Sequence, residues 1–541
     1  MDETRAPLEM HPQRWGDPAA AAPLPEATRE LVELAFGIVE RPVAATATLP
    51  DGATDAALLD GLRELLGAEH VLTDDATRRL RTRGKSTPDL LRARAGDLSD
   101  APDAVVCPGS HADVAAVLDF AVEHHLAVVP FGGGTSVTGG LAARREGYAG
   151  LISLDLVRMR RLLAVDPVSM TATLEPGLRG PEAEALLAGH GLTLGHYPQS
   201  FEHASIGGFA ATRSSGQSSA GYGRFDALVV GLTVATPRGE LTLGSAPASA
   251  AGPDLRQLLL GSEGAFGVIT SVTVRVRPLP EVTRYEGWRW PSFPEGAAAM
   301  RTLAQSGLLP TVIRLSDETE TALNLARPDA IGDRPDGTDG TDGADGRGTG
   351  SGCLMITGYE GESVAVDARR AAVTAVLTRL GGLPLGEGPG RSWVDGRFRA
   401  PYLRDSMLDV GVLVETLETA TFWSNVDRLH ADVRAALQSA LGDPTLVLCH
   451  VSHVYETGCS LYFTVATREG DDPLTRWRAA KAAASDAILA AGATITHHHA
   501  VGTDHKPWFA AEIGPVGVSI LRAVKADLDP TGILNPGVLV P

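Results

Sequence analysis

The stretch 126-LAVVPFGGGTSVTGG-140 decides the fold of this chain. An apolar, β-prone run enters three consecutive glycines, continues through Thr135, Ser136 and Thr138, and ends in two more glycines. A strand that leads into a glycine-rich turn brings backbone N–H groups close to a ligand, most often a phosphate. The sequence therefore predicts a strand followed by an anion-binding loop.

This loop matches neither of the two commonest phosphate motifs. A Rossmann loop opens a helix, whereas the residues that follow these glycines are β-prone. A Walker loop requires a lysine after its second glycine, but here Gly139 is followed by Gly140. Taken alone, the loop is equally compatible with a plain tight turn, so its meaning depends on the rest of the chain.

Composition and charge exclude several classes of protein. The 541 residues include 47 Lys and Arg against 66 Asp and Glu, a formal net charge of −19 that repels nucleic acids. No run of eighteen apolar residues is present, and the N-terminus lacks the pattern of a signal peptide. The four cysteines form no C-x-x-C pair. We therefore expect a cytoplasmic protein without a nucleic-acid partner.

Patterning divides the chain into four segments. Residues 1–98 form an extension with helical and basic stretches, and residues 99–280 mix helical and strand patterns typical of an α+β domain. Residues 281–500 form a second α+β domain, interrupted at 328–352 by a stretch too polar and glycine-rich to pack. Residues 501–541 end in a helix and an extended tail, which we expect to pack on the first domain.

Two further small-residue stretches lie in the first α+β domain, SFEHASIGGFAATRSSG at 200–216 and GSEGAFGVIT at 261–270. With the first loop, they resemble the three flavin-binding segments of the vanillyl-alcohol-oxidase-type (PCMH) FAD family. The resemblance implies a two-part α+β FAD-binding domain with an α+β cap domain that binds the substrate. It also implies that the first loop holds the pyrophosphate of FAD.

The same resemblance implies which residues bind the cofactor. Some members of the family attach flavin covalently to a histidine of the first loop, and Thr135 occupies that position here. We therefore expect FAD to be held non-covalently. The implied cofactor residues are Pro130, Phe131, Gly132, Gly133, Gly134, Thr135, Ser136, Gln199, Ser200, Ser205, Ile206, Gly208, Thr212, Arg213, Ser214, Ser215, Glu263, Gly264, Gly267, Val268 and Ile269.

One branch of the family contains the FAD-dependent 2-hydroxyacid dehydrogenases. Its metal-binding segments, H-x-G-D-G-N-x-H and G-E-H-G-I-G, correspond here to CHVSHVYETGCSLYF and THHHAVG. His450 could stand for the first ligand, but the Gly-Asp-Gly-Asn turn is absent and His498 replaces the carboxylate. This comparison predicts that the chain has no catalytic metal.

A second branch contains the alkyldihydroxyacetone-phosphate synthases, the ether-lipid flavoenzymes. Their tyrosine, triple-histidine and two arginine motifs resemble HVSHVYETG, THHHAVG, VIRLSD and YLRDSM, within a similarity that covers residues 80–541. The resemblance implies exchange of the acyl group of an acyl-dihydroxyacetone phosphate for a fatty alcohol, without net oxidation. It implies that the catalytic residues are Tyr455, His497, His498 and His499. It implies that the substrate-binding residues are Arg404 and Arg314.

Without the resemblance, these residues have ordinary interpretations as well. Three histidines on a strand would place His497 and His499 on one face and His498 on the other, and the absence of a neighbouring carboxylate or cysteine argues against metal. Arg314 lies in the apolar stretch TVIRL and requires an anionic partner. A tyrosine such as Tyr455 more often packs, and Arg404 is equally compatible with an exposed helix position.

Two other functions remain open at this point. The chain could be an ordinary FAD-dependent oxidase or dehydrogenase of a 2-hydroxy acid or alcohol, or a flavin-binding protein without catalysis. Four polar groups at family active-site positions disfavour the non-catalytic alternative. For the synthase, we also expect a homodimer and a peripheral contact with a membrane.

Overall fold

The computed structural model describes residues 9–43, 49–142, 144–325 and 352–541. The predicted insertion at 328–352 lies outside these ranges except for its last residue. Up to residue 280 the helices are α1 (Glu26–Phe36), α2 (Ala56–Leu66), α3 (Asp75–Leu80), α4 (Thr87–Arg94), α5 (His111–His124), α6 (Gly180–Ala188), α7 (Ile206–Thr212), α8 (Ser219–Tyr222), α9 (Phe225–Leu228) and α10 (Arg256–Leu259). The strands there are β1 (Val71–Leu72), β2 (Ala104–Val106), β3 (Leu126–Phe131), β4 (Gly150–Asp155), β5 (Leu162–Asp166), β6 (Thr171–Leu174), β7 (Leu192–Thr193), β8 (Val229–Thr236), β9 (Gly239–Leu243), β10 (Val268–Arg275) and β11 (Arg277–Pro278).

The opening stretch of sequence forms β3 and the loop that follows it. This strand lies at the edge of a four-stranded sheet of order β1-β2-β4-β3, in which β2, β4 and β3 are parallel. A second, antiparallel sheet has the order β5-β6-β10-β8-β9. Helix α5 contacts both sheets, and the four residues that the 3–4 spacing assigns to its apolar face are buried: Val114, Val117, Leu118 and Ala121.

After residue 280 the chain builds a second sheet-and-helix unit, which we call the cap. Its strands are β12 (Val282–Trp290), β13 (Val312–Ser316), β14 (Cys353–Gly361), β15 (Leu383–Gly386), β16 (Val412–Phe422), β17 (Thr445–Val451) and β18 (Gly458–Arg468). Its helices, and the one that follows it, are α11 (Phe293–Gln305), α12 (Glu318–Leu325), α13 (Ser363–Arg379), α14 (Gly388–Gly396), α15 (Ala400–Asp409), α16 (Val426–Leu441), α17 (Pro473–Ala490) and α18 (Lys506–Leu528).

The cap sheet has seven antiparallel strands in the order β15-β12-β14-β13-β17-β18-β16. Trp288, Trp290 and Trp477 are fully buried in the core between this sheet and its helices. The strands β16 and β18 pair over eleven residues each. The α+β fold class predicted from the sequence is confirmed.

Both ends of the described chain return to the body of the protein. Leu534 forms a bridge with Val128 of β3, and Phe509 packs on the core of the FAD-binding part. Helix α18 is interrupted at Gly514, whose φ of 68° precedes a proline. At the other end, Phe36 of α1 packs on the cap. Among the described residues, no helix is both long and apolar enough to cross a membrane.

Candidate active site

A cavity of about 390 Å³ lies where the glycine loops meet the cap. All the predicted cofactor residues line it except Ile206 and Arg213. The predicted substrate residues Arg314 and Arg404 also line it, and so do His498 and His499. The structure therefore brings three loops from the first α+β domain and side chains from the cap to one space.

Ile206 and Arg213 lie beside this cavity and have other contacts. Ile206 is fully buried in the hydrophobic core. Arg213 donates from Nη1 to Asp226 (2.9 Å) and from Nε to the carbonyl oxygen of Leu260 (3.0 Å), and so holds the chain just before the third loop. Their placement indicates structural support of the loops.

The first glycine loop fits closely against the second. A side chain on Gly132 would collide with the hydroxyl of Ser205, and one on Gly133 would collide with the carbonyl oxygen of His203. Gly134 adopts φ +70°, a conformation that L-residues rarely take. Only glycine allows this packing, which leaves backbone N–H groups rather than side chains at the cavity wall.

Of the residues that the structure describes, two carboxylates line the cavity, and both have partners within the protein. Glu263 accepts hydrogen bonds from the N–H groups of Val501 (3.1 Å) and Gly502 (2.9 Å), and its burial raises its pKa to about 7. The other, Glu320, is paired with Arg314. The wall near the first loop thus offers N–H and hydroxyl donors, which fit a diphosphate. The residues present therefore fit FAD.

Acid or heat should release FAD intact from the purified yellow protein. Thr135 lines the cavity at the position where some family members carry a histidine attached to flavin, and a threonine cannot form that bond. The measurement is the flavin absorbance of supernatant and pellet after acid precipitation. Flavin that stays with the washed, unfolded chain would contradict non-covalent binding.

The three consecutive histidines do not lie on a strand, contrary to the sequence expectation. The chain bends through His497, His498 and His499, and their three backbone N–H groups converge on the carboxylate of Glu418 at 2.7, 3.1 and 3.0 Å. Thr496 adds a hydroxyl donor at 2.5 Å. The alternation of faces expected for a strand is therefore wrong, because a buried carboxylate folds the segment around itself.

Glu418 also contradicts the expectation that no carboxylate accompanies the histidines. It lies on β16, 2% exposed, with the Nδ1 atom of His498 at 3.4 Å. Burial alone would raise the pKa of this carboxyl, but the neighbouring histidines and the donated hydrogen bonds hold it well below its usual range. Glu418 is thus a fixed anion that shapes the histidine segment.

Tyr455 and two of the histidines form a hydrogen-bonded chain. The phenol oxygen of Tyr455 lies 2.5 Å from Nε2 of His497, and Nδ1 of His497 lies 3.0 Å from Nδ1 of His498. His498 borders the cavity, whereas His497 does not, and neither does Tyr455, which is 36% exposed. Burial raises the pKa of Tyr455 to about 12 and lowers that of His497 well below its usual value. At neutral pH, the chain therefore consists of a phenol and uncharged imidazoles.

His453 is a site residue that the sequence did not single out. Its Nδ1 atom contacts the hydroxyls of Ser219 (2.6 Å) and Ser215 (3.0 Å), and its ring stacks on that of His497. Ring nitrogens of His453, His497 and His498 lie within 4.8 Å of one another, a spacing that could hold a metal ion. However, both ring nitrogens of His497 already have partners, Tyr455 and His498.

Arg314 has the anionic partner that its apolar strand requires. Its guanidinium contacts Glu320 of α12 and lies 2.9 Å from Nδ1 of His450. His450 also contacts Glu320, at 3.1 Å. The coulombic attraction of Arg314 and His450 outweighs burial and lowers the pKa of Glu320 to about 2. These three side chains form a closed ionic group on the cavity wall.

Arg404 is not on the surface; it is 8% exposed and borders the cavity. It donates to the carbonyl oxygen of Lys85 (2.6 Å) and to Asp405 (3.1 and 3.2 Å). Asp405 also accepts a hydrogen bond from the backbone N–H of Trp15, whose side chain lines the cavity. No motif in the N-terminal extension had indicated Trp15 as part of this site.

Lowering the pH below about 6.5 should destabilise the protein, because buried histidines that are neutral when folded must take up protons on unfolding. Burial lowers the pKa of His196 and of His499 to about 3 and that of His203 to about 4, from 6.5. Each such group costs about 1.4 kcal/mol per pH unit between those values. Glu263 and other carboxyls whose pKa burial raises, such as Glu184 and Glu415, oppose this trend, whereas the lowered pKa of Glu320 adds to it.

The measurement is urea unfolding of the apoprotein at pH 7.5, 6.5 and 5.5 at constant ionic strength. We expect the free energy of unfolding to be nearly equal at the two higher values and to fall at pH 5.5. A rise in stability on acidification would contradict the neutral state of these histidines.

Comparison with known protein families divides the chain in two. Residues 102–244 match the family described as FAD binding domain, and residues 279–539 match FAD linked oxidases, C-terminal domain. The second match begins at residue 279, just before β12, the first strand of the cap.

Individual relatives extend over most of the chain. Alkyldihydroxyacetonephosphate synthase of Dictyostelium discoideum is 34% identical over 481 residues, which cover 87% of this chain and 78% of the relative. The synthase of Trypanosoma brucei brucei is 34% identical over 506 residues, which cover 91% and 82%. A solved structure of an alkyldihydroxyacetonephosphate synthase superimposes with a TM-score of 0.83 at 28% identity and covers 98% of this chain and 99% of that one.

Proposed function

The chain belongs to the alkyldihydroxyacetonephosphate synthase family, and we propose that it replaces the acyl group of an acyl-dihydroxyacetone phosphate with a fatty alcohol, without net oxidation. The observation that carries this proposal is the 2.5 Å contact between Tyr455 and His497, which joins the two motifs that distinguish the synthases from the metal-dependent hydroxyacid dehydrogenases. FAD is the cofactor that the FAD-binding domain holds.

The bound isoalloxazine supplies the reactive group at the substrate carbon. The protein must then remove a proton from that carbon and return one, a role for a hydrogen-bonded acid–base chain. We assign it to Tyr455, His497 and His498. The neutral Nε2 atom of His497 is placed to accept the phenol proton of Tyr455. His499, also neutral and on the cavity wall, lies beside this chain and helps to exclude water from it.

Arg404 is the group that we assign to the substrate phosphate. Three hydrogen bonds, to Lys85 and Asp405, fix its orientation, and its other N–H groups remain for an anion. Arg314 is already engaged by Glu320 and His450, so it orders the opposite wall and adds positive charge near a leaving carboxylate. This division follows from the partners that each arginine already has.

The decisive experiment incubates the purified holoprotein with acyl-dihydroxyacetone phosphate and a radiolabelled fatty alcohol. The expected result is a labelled ether lipid and one equivalent of released fatty acid, with no reduction of an added electron-acceptor dye. Holoprotein that binds both substrates but forms no ether would refute the proposal.

A second candidate is oxidation of a 2-hydroxy acid or alcohol, which the match to FAD linked oxidases favours. Under anaerobic conditions, an oxidised substrate bleaches the flavin absorbance, whereas the synthase substrates leave it oxidised at the end of the reaction. A panel of 2-hydroxy acids added without oxygen therefore separates the two candidates by the flavin spectrum alone.

Treatment with a strong chelator should leave activity unchanged. Distance alone would permit a metal among His453, His497 and His498, but His497 uses both ring nitrogens within the protein and Glu418 is saturated by backbone N–H groups. The measurement pairs turnover with metal analysis of the protein before and after dialysis against EDTA. One equivalent of zinc whose loss abolishes turnover would contradict this prediction.

We also propose that the protein is a cytoplasmic homodimer that touches membranes peripherally. The support is the chemistry of the proposed substrates, since acyl and alkyl chains partition into bilayers. Sedimentation with and without phosphatidylcholine vesicles tests both points, through the mass of the free protein and the fraction that floats with the vesicles.

A further inference from the structure

Two neighbouring side chains behind the first glycine loop lack partners for their polar atoms. Arg179 immediately precedes α6, and its Nε and Nη1 atoms are buried without a hydrogen bond. Both ring nitrogens of His203 are also buried without a hydrogen bond. Among the described residues, only Arg179 and His203 each contain two such buried side-chain atoms. They are 7% and 2% exposed.

Both residues border the first glycine loop. The Nη1 atom of Arg179 lies 2.9 Å from the position where a side chain on Gly133 would begin, and the Cα atom of Ala204 lies 2.7 Å from that same position. Gly133 and Ala204 line the cavity. The unpartnered guanidinium therefore packs against the first glycine loop at Gly133, next to the cavity wall that Gly133 and Ala204 form.

Within the described ranges of the chain, no carboxylate hydrogen-bonds the guanidinium of Arg179. Asp155 is the nearest strong electrostatic partner of Arg179, but its Oδ2 atom is bound by Arg81 at 2.7–2.8 Å and its Oδ1 atom by the N–H of Val157 at 2.9 Å. Burial, and then the charge of Arg179, lowers the pKa of His203 to about 4, so that His203 is a neutral donor and acceptor.

A buried guanidinium without a hydrogen-bond partner raises the free energy of the folded protein, and binding of an anion offsets this increase. We propose that Arg179, assisted by His203, supplies the countercharge for the diphosphate of FAD at the first glycine loop. This inference rests on FAD as the cofactor and not on the identity of the substrate. A phosphate of the substrate is the other source of the same chemistry, but Gly133 belongs to the loop predicted to hold the pyrophosphate.

The test measures binding of FAD and of riboflavin to apoprotein by quenching of flavin fluorescence. Arg179→Met should weaken FAD binding by about 10- to 100-fold, the range expected for lost charge-assisted hydrogen bonds, and leave riboflavin binding unchanged. Arg277→Met is the matched control, because Arg277 also has a buried unpartnered Nε but lies on β11, where its guanidinium stacks on Tyr222 and not against the first glycine loop. It should bind FAD as the wild type does.

A second readout distinguishes this role from a structural one. If Arg179 serves to bind an anion, Arg179→Met apoprotein should melt at or above the melting temperature of the wild-type apoprotein. The increase in melting temperature that FAD causes should be smaller for Arg179→Met than for the wild type. If Arg179→Met fails to fold, Arg179→Lys is measured instead, and we expect it to bind FAD more weakly than the wild type because lysine keeps the charge but loses the planar guanidinium fork.

Equal FAD affinity in wild type and Arg179→Met would overturn the inference. So would a rise in KM for acyl-dihydroxyacetone phosphate without a change in FAD affinity, which would assign Arg179 to the substrate phosphate. Neither binding measurement requires turnover, so the inference stands or falls separately from the proposed synthase activity.

Discussion

Tyr455→Phe should keep its fold and its FAD but lose about 10²-fold or more of its turnover. The substitution removes one oxygen atom, the one that lies 2.5 Å from Nε2 of His497, and leaves the ring in place. If this phenol handles a proton in the slow step, its loss lowers kcat, while KM for the phosphate-bearing substrate changes little because Arg404 is untouched. The assay is ether formation at saturating substrate, with the flavin absorbance per protein as the measure of cofactor content.

Tyr285→Phe is the matched control for this experiment. Tyr285 also has a partly buried phenol, which donates to Glu360 at 2.9 Å, and neither residue belongs to the hydrogen-bonded chain of Tyr455, His497 and His498. We expect near wild-type turnover from Tyr285→Phe. Equal turnover of Tyr455→Phe and wild type would remove Tyr455 from the mechanism.

Glu418→Ala should have an effect at least as large, because it withdraws the acceptor that folds the histidine segment. Three backbone N–H groups and the hydroxyl of Thr496 would lose their shared partner. Each buried donor left unpaired costs about 1–3 kcal/mol, so His497 and His498 would leave their present positions. We expect turnover to fall by about 10³-fold, through displacement of the whole acid–base chain.

Glu415→Ala separates this effect from the general loss of a buried carboxylate. Glu415 lies on the same strand, is 3% exposed and accepts hydrogen bonds from the N–H groups of Thr87 and Thr416, away from the histidines. It should lose stability but retain far more turnover per folded molecule than Glu418→Ala. Urea unfolding gives the stability of each variant, and full turnover by folded Glu418→Ala would refute the role given to Glu418.

The glycine loops could be predicted from sequence because their physical requirement is local. Only glycine fits where Gly132 and Gly133 meet the second loop, and such restrictions leave a visible pattern in the chain. The α+β class, the apolar face of α5 and the placement of nearly all the cofactor residues on one cavity followed from that pattern and the resemblance it revealed. The pairing of Arg314 with an acid followed from the cost of burying a charge.

The parts of the site that escaped prediction depend on contacts between distant segments. Glu418 lies 79 residues before His497, in a strand where ETLET reads as ordinary alternation, so nothing nearby indicated that it would bend the histidine segment. The sequence did not indicate Arg179 either, because the lack of a hydrogen-bond partner for its guanidinium depends on the residues that surround it in the fold. Trp15 lies in an extension that carries no motif at all.

The cavity wall that Trp15 completes can form only late during synthesis of the protein on the ribosome. Its backbone is held by Asp405, 390 residues later, and the neighbouring Arg14 pairs with Asp409, 395 residues later. A ribosome-bound chain therefore exposes its first residues long before their partners exist, and the histidine segment emerges later still. Chains released before residue 500 lack part of the wall, so a prematurely terminated product should not retain the flavin.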